Sequence, residues 1–277
     1  MNTVQYVRSG RWRSLARMCV AAILALGAHA AAHAADEGLT LATAVYELAD
    51  GEDAASRGTM TLTGGGRRER VRKTYTYRLD GGRDESWNLI RFTEPANIRG
   101  TGLLIHNTTQ GASDQWLYLP ALERVRRVGS DNRGGSFVQS ELYYEDLEDR
   151  APRKDRHRIL REDTYEGTPV TVLESVPQDA TNSVYSKRVR WVHEQTMIPL
   201  RVDFYEGSAE PVKRRTVQRI ERIQGYWTVM DSVVTDLDSG RKTVLAVEEI
   251  VYDQDLPQDL FGRRALGDPA VARRYRP

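Results

Sequence analysis

Apolar and polar positions alternate with period two through most of this chain. Met60 and Leu62 alternate with Thr59, Thr61 and Thr63, and Gly64-Gly65-Gly66 follows as a turn able to take positive φ. Val71, Lys73, Tyr75, Tyr77 and Leu79 then alternate with Arg70, Arg72, Thr74, Thr76 and Arg78. This predicts a hairpin with one apolar-aromatic face and one cationic, threonine-rich face. Further strands are predicted at 87–92, 102–106 and 115–119, then at 156–164, 169–176, 184–193, 199–206, 212–223, 226–237 and 242–252. Asp80-Gly81-Gly82, Gly167, Asp179, Asn182, Gly207, Gly225 and Ser239-Gly240 separate them. Roughly a dozen short strands with tight turns and no βαβ rhythm predict an antiparallel sheet curled into a barrel or half-barrel. Ahead of the strands, Leu41, Val45 and Leu48 recur at helical spacing and predict a short amphipathic helix over 38–50.

Residues 129–150 break the alternation. Gly129, Ser130, Asn132, Gly134 and Gly135 make a flexible loop, and Phe137 to Leu147 has room for a helical turn or two. Such an insertion between strands is either a lid over a barrel mouth or a long connection. The tail, 257–277, is turn-rich and basic, ends in Arg273-Arg-Tyr-Arg276, and reads as a surface segment.

The N-terminus follows a different pattern. Arg8, Arg11, Arg13 and Arg17 precede a short apolar run from Val20 to Ala28, and Ala32-His33-Ala34 has the small-x-small form of a cleavage site. Residues 1–34 are therefore expected to be an export signal cleaved near Ala34. Residues 35–277 are expected to be a single domain in the periplasm. The run is too short to span a bilayer. Cys19 is the chain's one cysteine and lies within the signal, without the small residues a lipoprotein box places before it. The mature chain then has no disulfide and depends on a sizeable core. The segment carries four arginines and no acid, so its loss takes the formal charge from +1 to −3. That balance argues against a nucleic-acid partner.

Candidate chemistry is sparse. His106, His157 and His193 are far apart and lack metal-ligand spacing, so no metal or other cofactor is expected. Neither a Gly-x-Ser-x-Gly elbow nor a phosphate or dinucleotide fingerprint is present. Glu141, Glu145, Asp146, Glu148 and Asp149 cluster in one segment, but they stand near Arg124, Arg126, Arg127, Arg133 and Arg150. Pairing between charges explains that cluster without general acid–base work, and the protein is read as no enzyme.

Arg124, Arg126 and Arg127 have two readings. Facing inward, their guanidinium forks would hold a phosphate or carboxylate headgroup; facing outward, they would fasten the lid through Glu141, Glu145 and Asp146. The strand aromatics also have two. In a closed barrel they fill the core, whereas in a half-barrel some of them line a cavity. Burying an acyl chain there yields about 0.8 kcal/mol per CH₂, enough to extract a lipid with no catalytic group.

Phe92-Thr-Glu-Pro95, Arg99-Gly-Thr-Gly-Leu-Leu104, Asp114-Gln-Trp-Leu-Tyr-Leu-Pro120, Arg124-Val-Arg-Arg127, Ser136-Phe137, Ser140 and Tyr144-Glu-Asp-Leu147 together resemble the outer membrane lipoprotein-sorting protein family, which is similar to the LolA/LolB carriers. The resemblance covers nearly the whole mature chain. It implies an unclosed β-barrel of about eleven strands with short helices as a lid across a hydrophobic cavity. It also implies a periplasmic carrier of lipid or lipoprotein cargo, associated with RND-type (MMPL-like) inner-membrane exporters and touching membranes only transiently. The cavity is expected to be lined by a subset of Leu62, Tyr75, Tyr77, Leu103, Ile105, Trp116, Tyr118, Trp191, Phe204 and Trp227, with Phe137 and Tyr144 on the lid. Two rivals make different structural demands. A non-carrying envelope scaffold needs a filled barrel, and a hydrolase of envelope glycans or lipids needs paired carboxylates or a Ser–His pair in a cleft.

Overall fold

The structure is a computed structural model that describes residues 36–82 and 85–277. The expected export signal, its cleavage site and Cys19 lie outside the described residues.

Thirteen strands form one sheet. They are β1 (Asp53–Gly64), β2 (Arg70–Asp80), β3 (Glu85–Glu94), β4 (Gly102–Thr108), β5 (Asp114–Leu119), β6 (Arg124–Arg127), β7 (Asp155–Tyr165), β8 (Thr168–Pro177), β9 (Lys187–His193), β10 (Pro199–Tyr205), β11 (Lys213–Ile223), β12 (Tyr226–Asp236) and β13 (Arg241–Tyr252). Their order is β6-β5-β4-β3-β2-β1-β13-β12-β11-β10-β9-β8-β7. Chain neighbours pair antiparallel except β6 and β7, and β1 joins β13 to fuse the two runs. The sheet begins at β6 and ends at β7, so it is an unclosed barrel, with thirteen strands where about eleven were expected.

Sequence continuity closes what hydrogen bonding leaves open. β6 and β7 are the two free edges, and the segment joining them in the chain is the one that breaks the alternation. This segment, here called the lid, contains the short 3₁₀ turns Ser130–Asn132, Phe137–Gln139 and Tyr144–Leu147 and no longer helix.

Helix α1 covers residues 36–46 of the described chain and ends earlier than the spacing of Leu48 predicts. It buries Ala42 against Leu173 and Val192, with Leu41 and Val45 alongside. Gly38 is needed for this approach, because a Cβ there would lie 2.7 Å from the His157 carbonyl group.

The tail differs from its expected role as a surface segment. Leu256, Leu260, Phe261, Leu266 and Ala272 are buried against Ala55, Tyr77, Leu89 and Leu104. Asp53 starts this docking by accepting the Gln254 and Leu256 amides at 3.0 Å. Helix α2 (Arg263–Gly267) packs on β4, β5 and β6. Buried Arg91 holds the end of α2, donating to the carbonyls of Ala265 at 3.1 Å and Leu266 at 2.8 Å. Gly102 makes room for that side chain, since a Cβ would stand 2.6 Å from Arg91 Nη1. No helix among the described residues is long and apolar enough to cross a membrane.

Candidate functional site

Residues directly opposite one another on paired strands share a face. Following the registers across the sheet gives an inner face, turned toward the lid and α1, and an outer face. Met60, Leu62, Phe92, Leu103, Ile105, Gln115, Val234 and Leu245 are on the inner face. Tyr75, Tyr77, Leu89, Leu104, Trp116 and Tyr118 are on the outer face.

The expected cavity residues are therefore divided. Leu62, Leu103, Ile105 and Phe204 face inward. Tyr75, Tyr77, Trp116 and Tyr118 face outward, where the tail covers them. Trp191 packs outward with Val170, Val172 and Val189 beneath the Arg201 guanidinium, 4.1 Å from the ring. Trp227 is 40% exposed on the outer face. Period-two alternation identifies two faces of a strand, and it does not say which one curves inward.

The inner apolar surface is occupied by the lid itself. Phe137, Leu142 and Tyr144 pack on Met60, Phe92, Leu103, Ile105 and Val234. Phe137 sits between Phe92 and Tyr144, with ring centroids at 5.7 and 5.8 Å. Both expected lid residues thus point into the barrel.

Charged contacts hold the lid in place. Glu141 pairs with Arg67 at 2.8 Å, and its amide donates to Thr243 Oγ1 at 2.8 Å. Glu145 pairs with Arg188 and accepts the Val184 amide at 2.7 Å. Asp146 takes Lys213 at 2.8 Å and the Tyr185 hydroxyl at 2.6 Å. Gln115 donates to the Tyr144 carbonyl at 2.9 Å. Arg72 donates to the carbonyl of Val138, a β-branched residue held at φ 47°. The lid acids thus meet other cations than Arg124, Arg126 and Arg127. Arg127 pairs with Asp114 on the outer face, and Arg124 and Arg126 are exposed. β6 is the edge strand, so its side chains lie at the rim of the sheet, while the cations used by the lid stand in the β1–β2 turn (Arg67) and on inner strands (Arg72, Arg188 and Lys213).

Beside the lid lies a cavity of about 1230 Å³. It opens between the end of α1, the β2–β3 turn, the end of the lid and the inner faces of β7 and β9. Its lining mixes charged, mainly acidic, side chains with apolar ones such as Val45 and Leu48, where a wholly apolar one was expected, and it includes none of the ten expected residues. Glu47, Asp50, Glu52, Asp80, Glu85 and Asp149 line it together with Arg78, Arg150, Asp155, His157, Arg190 and Tyr226. Asp149 accepts from Ser86 at 2.7 Å and Asn107 at 2.9 Å. Asp50 pairs with Arg78 at 3.3 Å. Half of the Asp50 side chain is open to the cavity mouth, yet the surrounding walls, with Asp149 and Asp80 nearby, push its carboxyl up to about 6. Burial likewise raises the Glu148 carboxyl, although Arg133 opposes it.

At the deep end, Arg190 Nη1 donates to Ser175 Oγ at 2.7 Å. Ser175 Oγ lies 2.8 Å from His157 Nδ1, and His157 Nε2 lies 2.7 Å from the Pro152 carbonyl. The Pro152 carbonyl can only accept, which places the imidazole proton on Nε2 and makes Nδ1 the acceptor of the Ser175 proton. Burial holds the His157 imidazole below its usual value, keeping it neutral. This is a Ser–His pair in the position a hydrolase would need, but Ser175 is fully buried and its Oγ accepts from Arg190. It is built as a support for Arg190 rather than as an exposed nucleophile. His106 donates to the Phe261 carbonyl at 2.8 Å, and His193 Nδ1 accepts two amides of its own turn.

Arg91, Arg188, Arg190 and Lys213, which organise the tail, the lid and the cavity floor, were not singled out by sequence. They occupy alternating strand positions like any others.

A family profile described as that of an uncharacterized protein matches residues 84–268. No curated protein matches the chain. Among solved structures, an outer membrane lipoprotein-sorting protein domain from Vibrio parahaemolyticus is similar at 31% identity and TM-score 0.80, covering 84% of this chain and 99% of that one. A DUF1329 family protein from Desulfovibrio piger has 29% identity and TM-score 0.80 over the same shares. A LolA superfamily protein from Nitrosomonas europaea, at 20% identity, TM-score 0.63 and again 84% and 99% coverage, shares the fold. The 31% identity over 84% of its length places the chain in the family of outer membrane lipoprotein-sorting protein domains.

Proposed function

We propose that residues 35–277 form a periplasmic carrier that takes up a lipid, or the acylated end of a lipoprotein, beneath the lid. It would receive this cargo from an RND-type inner-membrane exporter and pass it toward the outer membrane. One observation carries the reading. The apolar inner face is covered by side chains of a segment that is itself a connection between two free sheet edges. Such a cover can be displaced without breaking a strand pair, and displacement would expose Met60, Leu62, Phe92, Leu103 and Ile105 to an acyl chain. Transfer needs no catalytic group, because apolar burial supplies the binding energy. The sorting function named for the Vibrio relative supports the same reading. Exposed Arg124, Arg126, Arg263, Arg264, Arg273 and Arg274 would offer a transient contact to an anionic membrane.

Native mass spectrometry of protein gently extracted from its host tests the reading, together with uptake of a fluorescent fatty acid. A bound lipid and saturable uptake are expected. Empty protein that takes up no probe would overturn it. The scaffold reading is favoured by one feature, the filled apolar face, and would be supported by that negative outcome.

A further inference from the structure

The floor of the polar cavity is short of negative charge. Arg190 is walled in by protein, and its remaining surface opens to the cavity. Its hydrogen bond goes to a neutral hydroxyl, Ser175, and it has no ion pair among the described residues. Burial lowers its pKa to about 10, which still leaves it charged at neutral pH. Arg188 stands two positions earlier on the same face of β9, roughly 6–7 Å along the strand. It is 5% exposed and pairs with Glu145, but its Nη1 has no hydrogen-bond partner and lies 3.8 Å from Asp155. Asp155 is already held by Arg150 at 2.7 Å. Arg150 and Arg188 thus share Glu145 and Asp155, and Arg190 is left without a carboxylate partner among the described residues.

A buried cation without a counter-charge is costly, and an unused buried donor adds to that cost. Such an arrangement is retained where a ligand supplies the missing anion. A carboxylate offers two oxygens to one fork. A phosphate offers oxygens in several directions and can accept from the Arg190 fork while Ser175 keeps its hydrogen bond.

The route to this floor is acidic, with Glu47, Asp50, Glu52, Asp80, Glu85 and Asp149 along the cavity. That lining repels a bare phosphate dianion and attracts an amine. A headgroup carrying both a phosphate diester and an amine satisfies the two ends at once.

We propose that the cavity is a headgroup site in which Arg190 binds the phosphate of a zwitterionic, amine-bearing phospholipid headgroup. The phosphate subsite stands on this side chain alone, and its assignment to a lipid rests on the carrier reading above. The cargo's chains would then lie on the apolar inner face under the lid, with its headgroup in the adjoining polar cavity.

Titration calorimetry with four probes tests this: short-chain phosphatidylethanolamine, the matching uncharged diacylglycerol, phosphoethanolamine and inorganic phosphate. The phosphatidylethanolamine is expected to bind at least about tenfold more tightly than the diacylglycerol, and Arg190→Met to lose that advantage. Arg190→Gln, which keeps a donor for Ser175, is expected to lose it as well. Both variants are expected to melt at higher temperature than the empty wild-type protein, because they remove an uncompensated charge. A purely structural arginine would give the opposite shift. Equal binding of the charged and uncharged lipids, or unchanged binding in both variants, would overturn the headgroup site while leaving the carrier reading intact. Arg190-dependent binding of phosphoethanolamine or phosphate with no lipid binding would uphold the phosphate subsite and overturn the carrier reading. No binding by any probe would overturn both.

Discussion

Lys213 Nζ on β11 lies 2.8 Å from Asp146 Oδ2 on the lid and 3.2 Å from the centre of the lid's Tyr143 ring. Both charged side chains are almost fully excluded from water. Removing one partner leaves the other buried and unpaired. Lys213→Met and Asp146→Asn are each expected to cost about 3–5 kcal/mol in urea unfolding, with the double variant less affected than the sum. Hydrogen exchange should quicken through 129–150 in both single variants. Additive losses with an unchanged lid would show that the pair does not fasten it.

Phe137 is fully buried between the sheet and the rest of the lid. Phe137→Ala is expected to cost about 3–5 kcal/mol, through lost burial and the cavity left behind. Because that side chain occupies the face proposed to receive cargo, fluorescent fatty-acid uptake should be faster than in wild type at a temperature where both remain folded. Slower or unchanged uptake would count against the lid as a gate.

His157 sets a pH dependence whose sign can be worked out. Burial lowers its folded-state pKa below the usual 6.5, so below that pH the unfolded chain binds a proton that the folded protein resists. The unfolded state then carries more protons, and stability falls as pH drops below about 6.5. His157→Gln removes this term. Melting temperatures compared at about pH 8 and about pH 5 should show a smaller acid loss in the variant than in wild type. An equal loss in the two would assign the acid sensitivity to other groups.

The tail is a structural element. Leu266 is fully buried on the outer face, next to the carbonyl that Arg91 holds. Leu266→Ala is expected to cost about 2–5 kcal/mol in denaturant unfolding. Limited proteolysis should then cut after Pro257 before the sheet is lost. A cost near zero would return the tail to the surface role its composition suggests.

The β class, the strands and the lid insertion were legible in the sequence. Alternation such as Met60–Leu62 or Tyr75–Tyr77 is a local property of the pleat. The acids that fasten the lid, Glu141, Glu145 and Asp146, were also visible as a cluster. Their partners were not, because Arg67, Arg188 and Lys213 lie far away in sequence and look like any outward-facing cation. Arg124, Arg126 and Arg127 attracted notice by density, yet an edge strand gives their side chains little to meet.

By itself, then, the sequence determined the strands, their turns and the place of the cover, since each depends on residues within a few positions of one another. Only the tertiary structure decided which face of each strand became the interior. Trp116 and Tyr118 went under the tail, Leu103 and Ile105 went under the lid, and Arg190 came to the floor of a cavity lined by acids. The reason is geometric: both faces of a strand show the same period of two. The direction of curvature is set by which faces the lid, α1 and the tail cover, and no local pattern records that.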